Sequence, residues 1–277
     1  MYTQNMIKPC YENHAIEEAV FVIRLTSPLS QKHFDNILSL KETHEIKATF
    51  PRIRQTVGRV MGVKFEKDQQ PVIEPETKSN LTGIFFERFK PSGLAEKVLA
   101  AEGDRIVFHC FEYTRWNEIW QEARNFLKAI SFFLSDLRVA IVALNVRDKF
   151  IFKGSPKSFD PAILFKKGSP YLTPNIFKIR ELWHCHHGYF EKVTNQKVDK
   201  ELLVTNTSTE MSGSNELNAK INCFFEARLN PPGIDVQELF DETDLIDELM
   251  TDLHYKNKKV LNDIIVKDMA KRIDLEL

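Results

Sequence analysis

The stretch "LRVAIVALNVRDKFIF", Leu137 to Phe152, has the pattern of one long strand. Much of it is a continuous run of Val, Ile, Leu and Ala, and Phe and Ile return after Asp148. A run of this kind is typical of a strand in the middle of a sheet, where both faces are covered. We therefore predict a long central strand here.

Segments rich in β-branched and aromatic residues predict further strands on both sides of it. The segments before it are Ala19–Leu25, Thr56–Lys67, Leu81–Lys90 and Gly103–Thr114. Those after it are Ile179–Val193, Glu201–Glu210 and Ala219–Leu229. Between the two groups, the four prolines of residues 153–175 predict a long surface excursion with one short helix near Pro161–Phe165.

Helical periodicity occurs in three places. A first helix is predicted between Leu29 and Ile46, after Pro28. Thr114–Leu134, "TRWNEIWQEARNFLKAISFFL", has apolar residues at i, i+3 and i+4 over nearly five turns, which predicts a long amphipathic helix. A third helical region begins near Asp235, and its apolar stripe runs from Ile246 to Met269.

The order of these elements predicts an α+β fold with two related halves. In each half several strands lead to a long amphipathic helix, so we expect two antiparallel sheets, each covered by one helix. The division falls near Ser135, which gives an N-terminal half at 1–135 and a C-terminal half at 136–277. One compact domain containing both halves is the alternative.

Four stretches resemble a known family: "IEEAVFVIRL" from Ile16, "EYTRWNEI" from Glu112, "VALNVRDKF" from Val142, and "DELMTDLHYKNKKVLNDII" from Asp247. Their order is similar to that in a sporadically distributed family of uncharacterised bacterial proteins. Its members begin with an EAVxxIR strand and have an LH motif in a long C-terminal helix. The chain departs from the family at Asn145-Val146, where an Arg-Tyr pair is common, and near Val260, where an aromatic residue is usual. The frequent link of this family to mobile or defence loci implies a role in phage defence.

Composition limits the compartment and the class of protein. The 277 residues include 38 basic and 39 acidic ones, which argues against a protein that wraps nucleic acid over its whole surface. The four cysteines form no CxxC pair, and the start of the sequence lacks the pattern of a signal peptide. No apolar run approaches the roughly 20 residues needed to span a bilayer. We therefore expect a cytoplasmic protein with free thiols and no membrane contact.

The segment "ELWHCHHGYF", Glu181 to Phe190, concentrates three histidines and a cysteine. On a strand, His184 and His186 would share one face, and Cys185 and His187 the other. Two histidines on one face could bind zinc if a third ligand came from His109, Cys110, Glu112 or Cys223. The alternative is a half-buried structural strand with hydrogen-bonded histidines, and no HExxH or CxxC pattern supports the metal.

Arg24, Glu112 and Asp148 are candidate ligand or ion-pair residues. Arg24 lies in an apolar strand and needs a partner if it is buried, for which Glu17, Glu18, Glu112 or Asp148 are available. Asp148 is predicted to end a central strand, where a carboxylate is either functional or a turn former. With Glu112, Glu87 and Glu226 it could form the carboxylate cluster of a metal-dependent nuclease.

The region from Arg147 to Arg180 is locally basic, and three interpretations stay open. It could bind a phosphate backbone, form a solvated loop, or dock onto the acidic face of Asp235–Asp252 within the chain or across a dimer. The candidate contact residues are Arg147, Lys149, Lys153, Lys166, Lys167 and Arg180.

The pattern as a whole favours a non-catalytic recognition or assembly module that acts through a protein partner or as a homodimer. This interpretation is based on the lack of catalytic motifs, the balanced charge, and the complementary acidic and basic segments. Two alternatives remain: a metal-dependent hydrolase or nuclease, with zinc as the candidate cofactor, and a nucleic-acid-binding protein using residues 147–180.

Overall fold

The fold is mixed α+β and contains a large antiparallel sheet. A computed structural model describes residues 6–59, 63–64, 72–73, 79–179, 182–211, 216–241 and 244–275. The strands are β1 Ile7–Pro9, β2 Ile16–Leu25, β3 Arg52–Arg59, β4 Val63–Lys64, β5 Val72–Ile73, β6 Ser79–Phe89, β7 Ala95–Glu102, β8 Arg105–Cys110, β9 Arg138–Lys153, β10 His184–Glu191, β11 Val198–Met211, β12 Glu216–Leu229 and β13 Ile234–Asp235. The helices are α1 Gln31–Ser39, α2 His44–Thr49, α3 Trp116–Ser131, α4 Val236–Leu239, α5 Leu245–Ile264 and α6 Lys267–Arg272.

The predicted central strand is confirmed as β9. The sheet runs in the order β10-β11-β12-β9-β2-β8-β7-β6-β3, and β1 and β13 also pair with β9. Each neighbour of β9 is antiparallel to it. Val139 pairs with both Leu25 and Ile234, so β2 and β13 lie on opposite edges of β9. Strands from both sides of Ser135 therefore join in one continuous sheet.

The helices cover one face of this sheet. In β9 every second residue from Val142 to Phe152 is buried, and we call the face that these residues share the helix-covered face. The residues between them, from Asn145 to Ile151, are only half-buried and lie on the open face. α3 packs on β8, and α5 packs on β9 and β12.

α3 and α5 lie side by side and antiparallel on the helix-covered face. Trp120 Nε1 donates to Asp247 Oδ1 at 2.6 Å, and Arg124 pairs with Asp244 at 2.7 Å. One turn before Trp120, the Trp116 ring stacks on His254. The first half of α3 thus contacts the first half of α5, which places the middle of α5 beside the start of α3.

Two predicted helices are interrupted in the structure. The helix expected over Leu29–Ile46 divides into α1 and α2, because Thr43 is extended and accepts a hydrogen bond from Ile46 N as a new N-cap. The helical region from Asp235 divides into α4, α5 and α6. The break after α5 occurs where Ile265 forms a bridge with Phe165, so the backbone there pairs with another segment.

The predicted surface excursion is wrong in one respect, because part of residues 153–175 is core. Phe159, Leu164 and Phe165 are fully buried. Phe159 packs edge-on against Phe152, and Phe165 against Trp183. Apolar burial of three large side chains outweighs the turn-forming prolines around them. The predicted short helix is a 3-10 turn at Pro161–Ile163.

Within the described ranges, no helix is both long enough and apolar enough to cross a membrane.

Candidate ligand-binding site

Asp148 lies inside β9 on the helix-covered face, among apolar side chains. Its strand neighbours on that face are Val146 and Phe150, and it pairs with Ile16 of β2 and Ile221 of β12. The residue is 1 % exposed, and neither carboxylate oxygen has a hydrogen-bond partner in the structure. An unpaired buried carboxylate is costly, so its position calls for an explanation.

Burial raises the pKa of Asp148 to about 7. The carboxyl group in turn affects its neighbours. Burial, and then the charge of Asp148, raise the pKa of Cys223 and of Tyr113, and they raise the pKa of Cys10 to about 12. These thiols and the phenol therefore stay protonated near neutral pH, so they are weak nucleophiles.

Asp148 lines a cavity of about 380 Å³. Five parts of the chain form its wall: the segment before β2, the segment before α3, β9, the second half of α5, and the turn after α6. Its wall includes His14, Tyr113, Arg115, Trp116, Asp148, His254, Asn257, Lys258 and Asp274.

Two further wall residues have unpartnered acceptor atoms. Asn257 is 3 % exposed, and its Oδ1 has no hydrogen-bond partner in the structure. His14 Nδ1 is likewise buried without a partner. Burial lowers the pKa of His14, so the ring is neutral near pH 7. With the carboxylate of Asp148, the cavity therefore has several acceptors that no described protein group satisfies.

Aromatic rings form one side of the cavity. The rings of Trp116 and His254 are 3.8 Å apart and nearly parallel, and Trp116 and Trp120 both pack on Phe21 in the core. Burial, and then the charge of Lys258, lower the pKa of His254 to about 4. The imidazole is therefore neutral at physiological pH, and the stack fixes its orientation.

Charged side chains lie at the exposed rim. Arg115 pairs with Asp274 at 3.2 Å, and both side chains are more than half exposed. Lys258 also lines the cavity, where its charge disfavours a protonated His254. The deep end of the cavity is thus acidic through Asp148, and the rim is mixed in charge.

Of the three predicted ligand or ion-pair residues, Asp148 alone lines this cavity. Arg24 is exposed and pairs with Asp104 at 2.7 Å, near the opposite end of β2. Glu112 pairs with Lys90 at 3.3 Å. The structure therefore does not bring Arg24, Glu112 and Asp148 together. The carboxylate cluster with Glu87 and Glu226 does not form either, since Glu87 pairs with Arg52 and Arg54, and Glu226 with Arg228.

The strand predicted around the histidines is confirmed as β10. His184 and His186 are exposed on the open face and pair with Ser208 and Asn206 of β11, while Cys185 is buried on the other face. Among the described residues, no group of three or more His, Cys, Asp or Glu side chains is arranged to hold a metal ion. Zinc binding by His184 and His186 stays a prediction without a third ligand nearby.

Several of the predicted basic contact residues are engaged within the chain. Arg147 pairs with Glu18 at 3.0 Å, Lys149 with Glu17 at 3.0 Å, and Lys166 donates to the backbone oxygen of Asn262. Lys153 and Lys167 are exposed. Arg180 lies outside the described residues.

The acidic face of α4 and α5 has partners from other segments. Asn195 donates to Glu248, Lys197 pairs with Glu238, and Arg124 with Asp244. These three contacts come from α3 and the β10–β11 connection, whereas Lys166 donates to the backbone near the end of α5.

The sequence patterns did not indicate His14, His254 or Asn257 as residues of a binding site. One signal was present: Asn257 interrupts the apolar stripe of α5, between Leu253 and Val260. Asp148 likewise falls in phase with the apolar residues of β9. A polar residue in the apolar phase of an amphipathic element is the pattern that marks this cavity, and His14 has no such signal because it precedes β2.

The four stretches that carry the family resemblance all reach this cavity. Ile16, Tyr113, Asp148 and His254 each come from a different one of them. Comparison with protein-family models and with curated proteins finds no match for the sequence. The cavity is therefore interpreted from its own geometry.

Proposed function

We propose that this protein is a non-catalytic recognition module that binds a small molecule in the cavity at Asp148. The observation that supports this most directly is a fully buried carboxylate with two unpartnered oxygens in a cavity wall. A ligand that donates hydrogen bonds to it would remove the cost of leaving it unpaired.

The surrounding groups support binding more than covalent chemistry. The thiols of Cys10 and Cys223 are held protonated, and His14 and His254 are held neutral, with pKa values moved away from neutrality by burial. The two thiols therefore lack the low pKa that a cysteine nucleophile needs at neutral pH, and neither of them lines the cavity.

One observation favours a second candidate, a hydrolase that uses Asp148 as a general acid or base. A carboxyl group whose pKa is about 7 is suited to proton transfer near neutral pH. This candidate predicts turnover of a bound compound by the wild type and none by Asp148→Asn. Binding without turnover would leave the recognition function in place.

We also propose that the chain has two related halves divided near Ser135. The strand orders β2-β8-β7-β6 and β9-β12-β11-β10 repeat the same arrangement, with the first strand next to the last. The long helix of each half is C-terminal to the last strand of its set: α3 follows β8 after a short connection, and α5 follows β12 after β13 and α4. The cavity lies where α3 of one half meets α5 of the other.

A protein partner remains part of the proposal, and the open face of the sheet is the surface we assign to it. Phe190 is 54 % exposed there, with the charged ends of Lys200 and Arg228 over its ring. The resemblance to a family linked to defence loci supports a sensor that reports ligand binding to a partner. Nucleic-acid binding is a weaker candidate, since Arg147, Lys149 and Lys166 have partners within the chain.

A ligand screen by thermal shift tests the binding function. The panel should contain amines, guanidines, amides, nucleosides and carboxylates, each tested on the wild type, Asp148→Leu and the control Glu112→Gln. We expect at least one class to raise the melting temperature of the wild type and of Glu112→Gln but not of Asp148→Leu. If no class stabilises the wild type, or Asp148→Leu responds equally, the cavity is not a ligand site.

A further inference from the structure

We propose that the ligand presents a cationic donor group, a guanidinium or a primary ammonium, to Asp148 and Asn257 at the deep end of the cavity. This inference rests on the proposed binding function and specifies the class of ligand.

The first argument is the type of atom left without a partner. The unpartnered buried atoms of the cavity wall are both oxygens of Asp148, Oδ1 of Asn257 and Nδ1 of the neutral His14. The two carboxylate oxygens and the amide oxygen accept hydrogen bonds and do not donate them when Asp148 is ionised. The complementary group is rich in donors: a guanidinium has five N–H bonds and an ammonium has three.

The second argument is charge. A neutral donor such as an amide could satisfy the oxygens of Asp148 but would leave a buried negative charge without a counter-charge. No described basic side chain pairs with Asp148, because Arg147 and Lys149 on either side of it project to the open face and pair with Glu18 and Glu17. Bidentate binding of a guanidinium to a carboxylate supplies both charge and geometry.

The third argument concerns the remainder of the cavity. Tyr113 lines it, and the face of an aromatic ring attracts cations. At the rim, Arg115 is paired with Asp274, whereas Lys258 would repel a second positive charge and attract an acidic one. The best fit is therefore a molecule with one cationic head in the depth of the cavity and a neutral or acidic end at the rim.

Cation binding requires the ionised form of Asp148, so affinity should fall with acidity. Near neutral pH the protonation of the other groups that face the cavity is constant: His14 and His254 are neutral, Tyr113 is protonated, and Arg115 is paired with Asp274. Lys258 is the remaining charged group at the rim. Below the pKa of Asp148, affinity should fall by about tenfold per pH unit.

The test compares pairs of compounds that differ in the head group. L-arginine and L-citrulline have the same length, but the guanidinium of one is a neutral urea in the other, and L-lysine and L-norleucine form a second pair. Agmatine lacks the α-carboxylate of arginine, so its second end is cationic where that of arginine is zwitterionic. Calorimetric titration of the 277-residue chain at about pH 8 should show arginine or lysine binding at least tenfold more tightly than the analogue with the neutral side chain. Agmatine should bind more weakly than arginine.

Asp148→Asn keeps the shape of the side chain and removes the charge, and should abolish the preference for the cation. Asn257→Leu should weaken binding of the cation without removing its pH dependence, which provides a readout even if Asp148→Asn fails to fold. Equal or tighter binding of citrulline and norleucine, or no binding of any cationic probe, would overturn the inference. If a neutral or anionic compound then stabilised the protein in the thermal screen, the proposed binding function would stand without the cationic ligand. If no compound of any class stabilised it, both the binding function and the ligand class would be wrong.

Discussion

Asp148 shows what one residue can reveal about a site. It is in phase with Val146 and Phe150, and an apolar residue there would extend the core of β9 without cost. The carboxyl group is instead kept where its ionisation is unfavourable and where a cavity adjoins it. Functional residues often lower stability in this way, because the arrangement that suits a ligand is unfavourable in the empty protein.

The raised pKa of Asp148 predicts how its charge affects stability. The folded-state value of about 7 exceeds the ordinary value of 3.8. The stability contributed by protonation is therefore complete below the unfolded pKa and is lost as pH rises through about 7. As the pH rises from about 5 to about 8, the free energy of unfolding of Asp148→Asn should therefore increase by roughly 2–3 kcal/mol relative to that of the wild type. Urea denaturation across this range measures the difference, and a difference independent of pH would contradict the assigned burial.

His254 predicts a pH dependence of opposite sign. Its pKa of about 4 lies below the ordinary 6.5, so its contribution to stability is complete above about 6.5 and is lost as pH falls through about 4. His254→Phe keeps a flat ring against Trp116 and cannot be protonated. As the pH falls from about 7 to about 5, the free energy of unfolding of this variant should increase by up to about 2 kcal/mol relative to that of the wild type.

Chemical denaturation of both proteins at each pH gives this difference directly. His44→Phe is the matched control, because it replaces an exposed histidine that does not line the cavity. An equal pH response of His254→Phe and the wild type would show that the imidazole is accessible to protons in the folded state.

At the scale of elements, the turn between β12 and β13 tolerates only glycine at residue 233. Its φ is +94°, and a Cβ there would lie 2.4 Å from the backbone oxygen of Val139. Gly93, in the turn between β6 and β7, also has a positive φ, +83°, but a Cβ there would meet no atom within 4 Å. Comparing alanine substitutions at Gly93 and Gly233 therefore separates the cost of a positive φ from the cost of a steric clash.

We expect Gly93→Ala to lower the free energy of unfolding by about 1 kcal/mol and Gly233→Ala by roughly 2–4 kcal/mol. The larger loss reflects displacement of β13 from the edge of β9. Denaturant titration of both variants tests this, and equal losses would mean that the β12–β13 turn can move without cost.

Local patterns were sufficient to predict the elements with strong periodicity, among them β2, β9 and α3. They failed at β7, Ala95–Glu102, which received no assignment because Ala, Glu and Lys favour helices and its strand state depends on pairing with β6 and β8. The break after α5 was missed for a similar reason, since it depends on a bridge to Phe165, a hundred residues earlier in the chain.

The candidate site likewise contains one residue that the sequence indicated and others that it did not. Asp148 was a candidate because a carboxylate in an apolar strand is visible in sequence, although its role was assigned to ion pairs or metals. His14, His254 and Asn257 join it only through the packing of α5 and the segment before β2 against β9. Such contacts between distant segments cannot be predicted from periodicity or composition.

At the scale of the whole molecule, the proposed halves are joined by backbone hydrogen bonds. β2 and β9 pair over Ile16–Leu25 and Val139–Asp148, in the middle of the sheet. Fragments 1–135 and 136–277 expressed separately should therefore aggregate or stay unfolded, because each exposes a long unpaired strand. Co-expressed, they should copurify as a complex with the ligand preference of the intact chain. A stable, folded monomer of either fragment alone would contradict this view of the sheet.

The wall of the cavity has a consequence for protein synthesis. His14 leaves the ribosome before Asp274, by roughly 13–52 s at ordinary rates of about 5–20 residues per second. By the same rates, Asp148 leaves it roughly 5–22 s before Asn257 of α5. A prematurely terminated product that lacks α5 should therefore not bind the ligand, even if its sheet had begun to form.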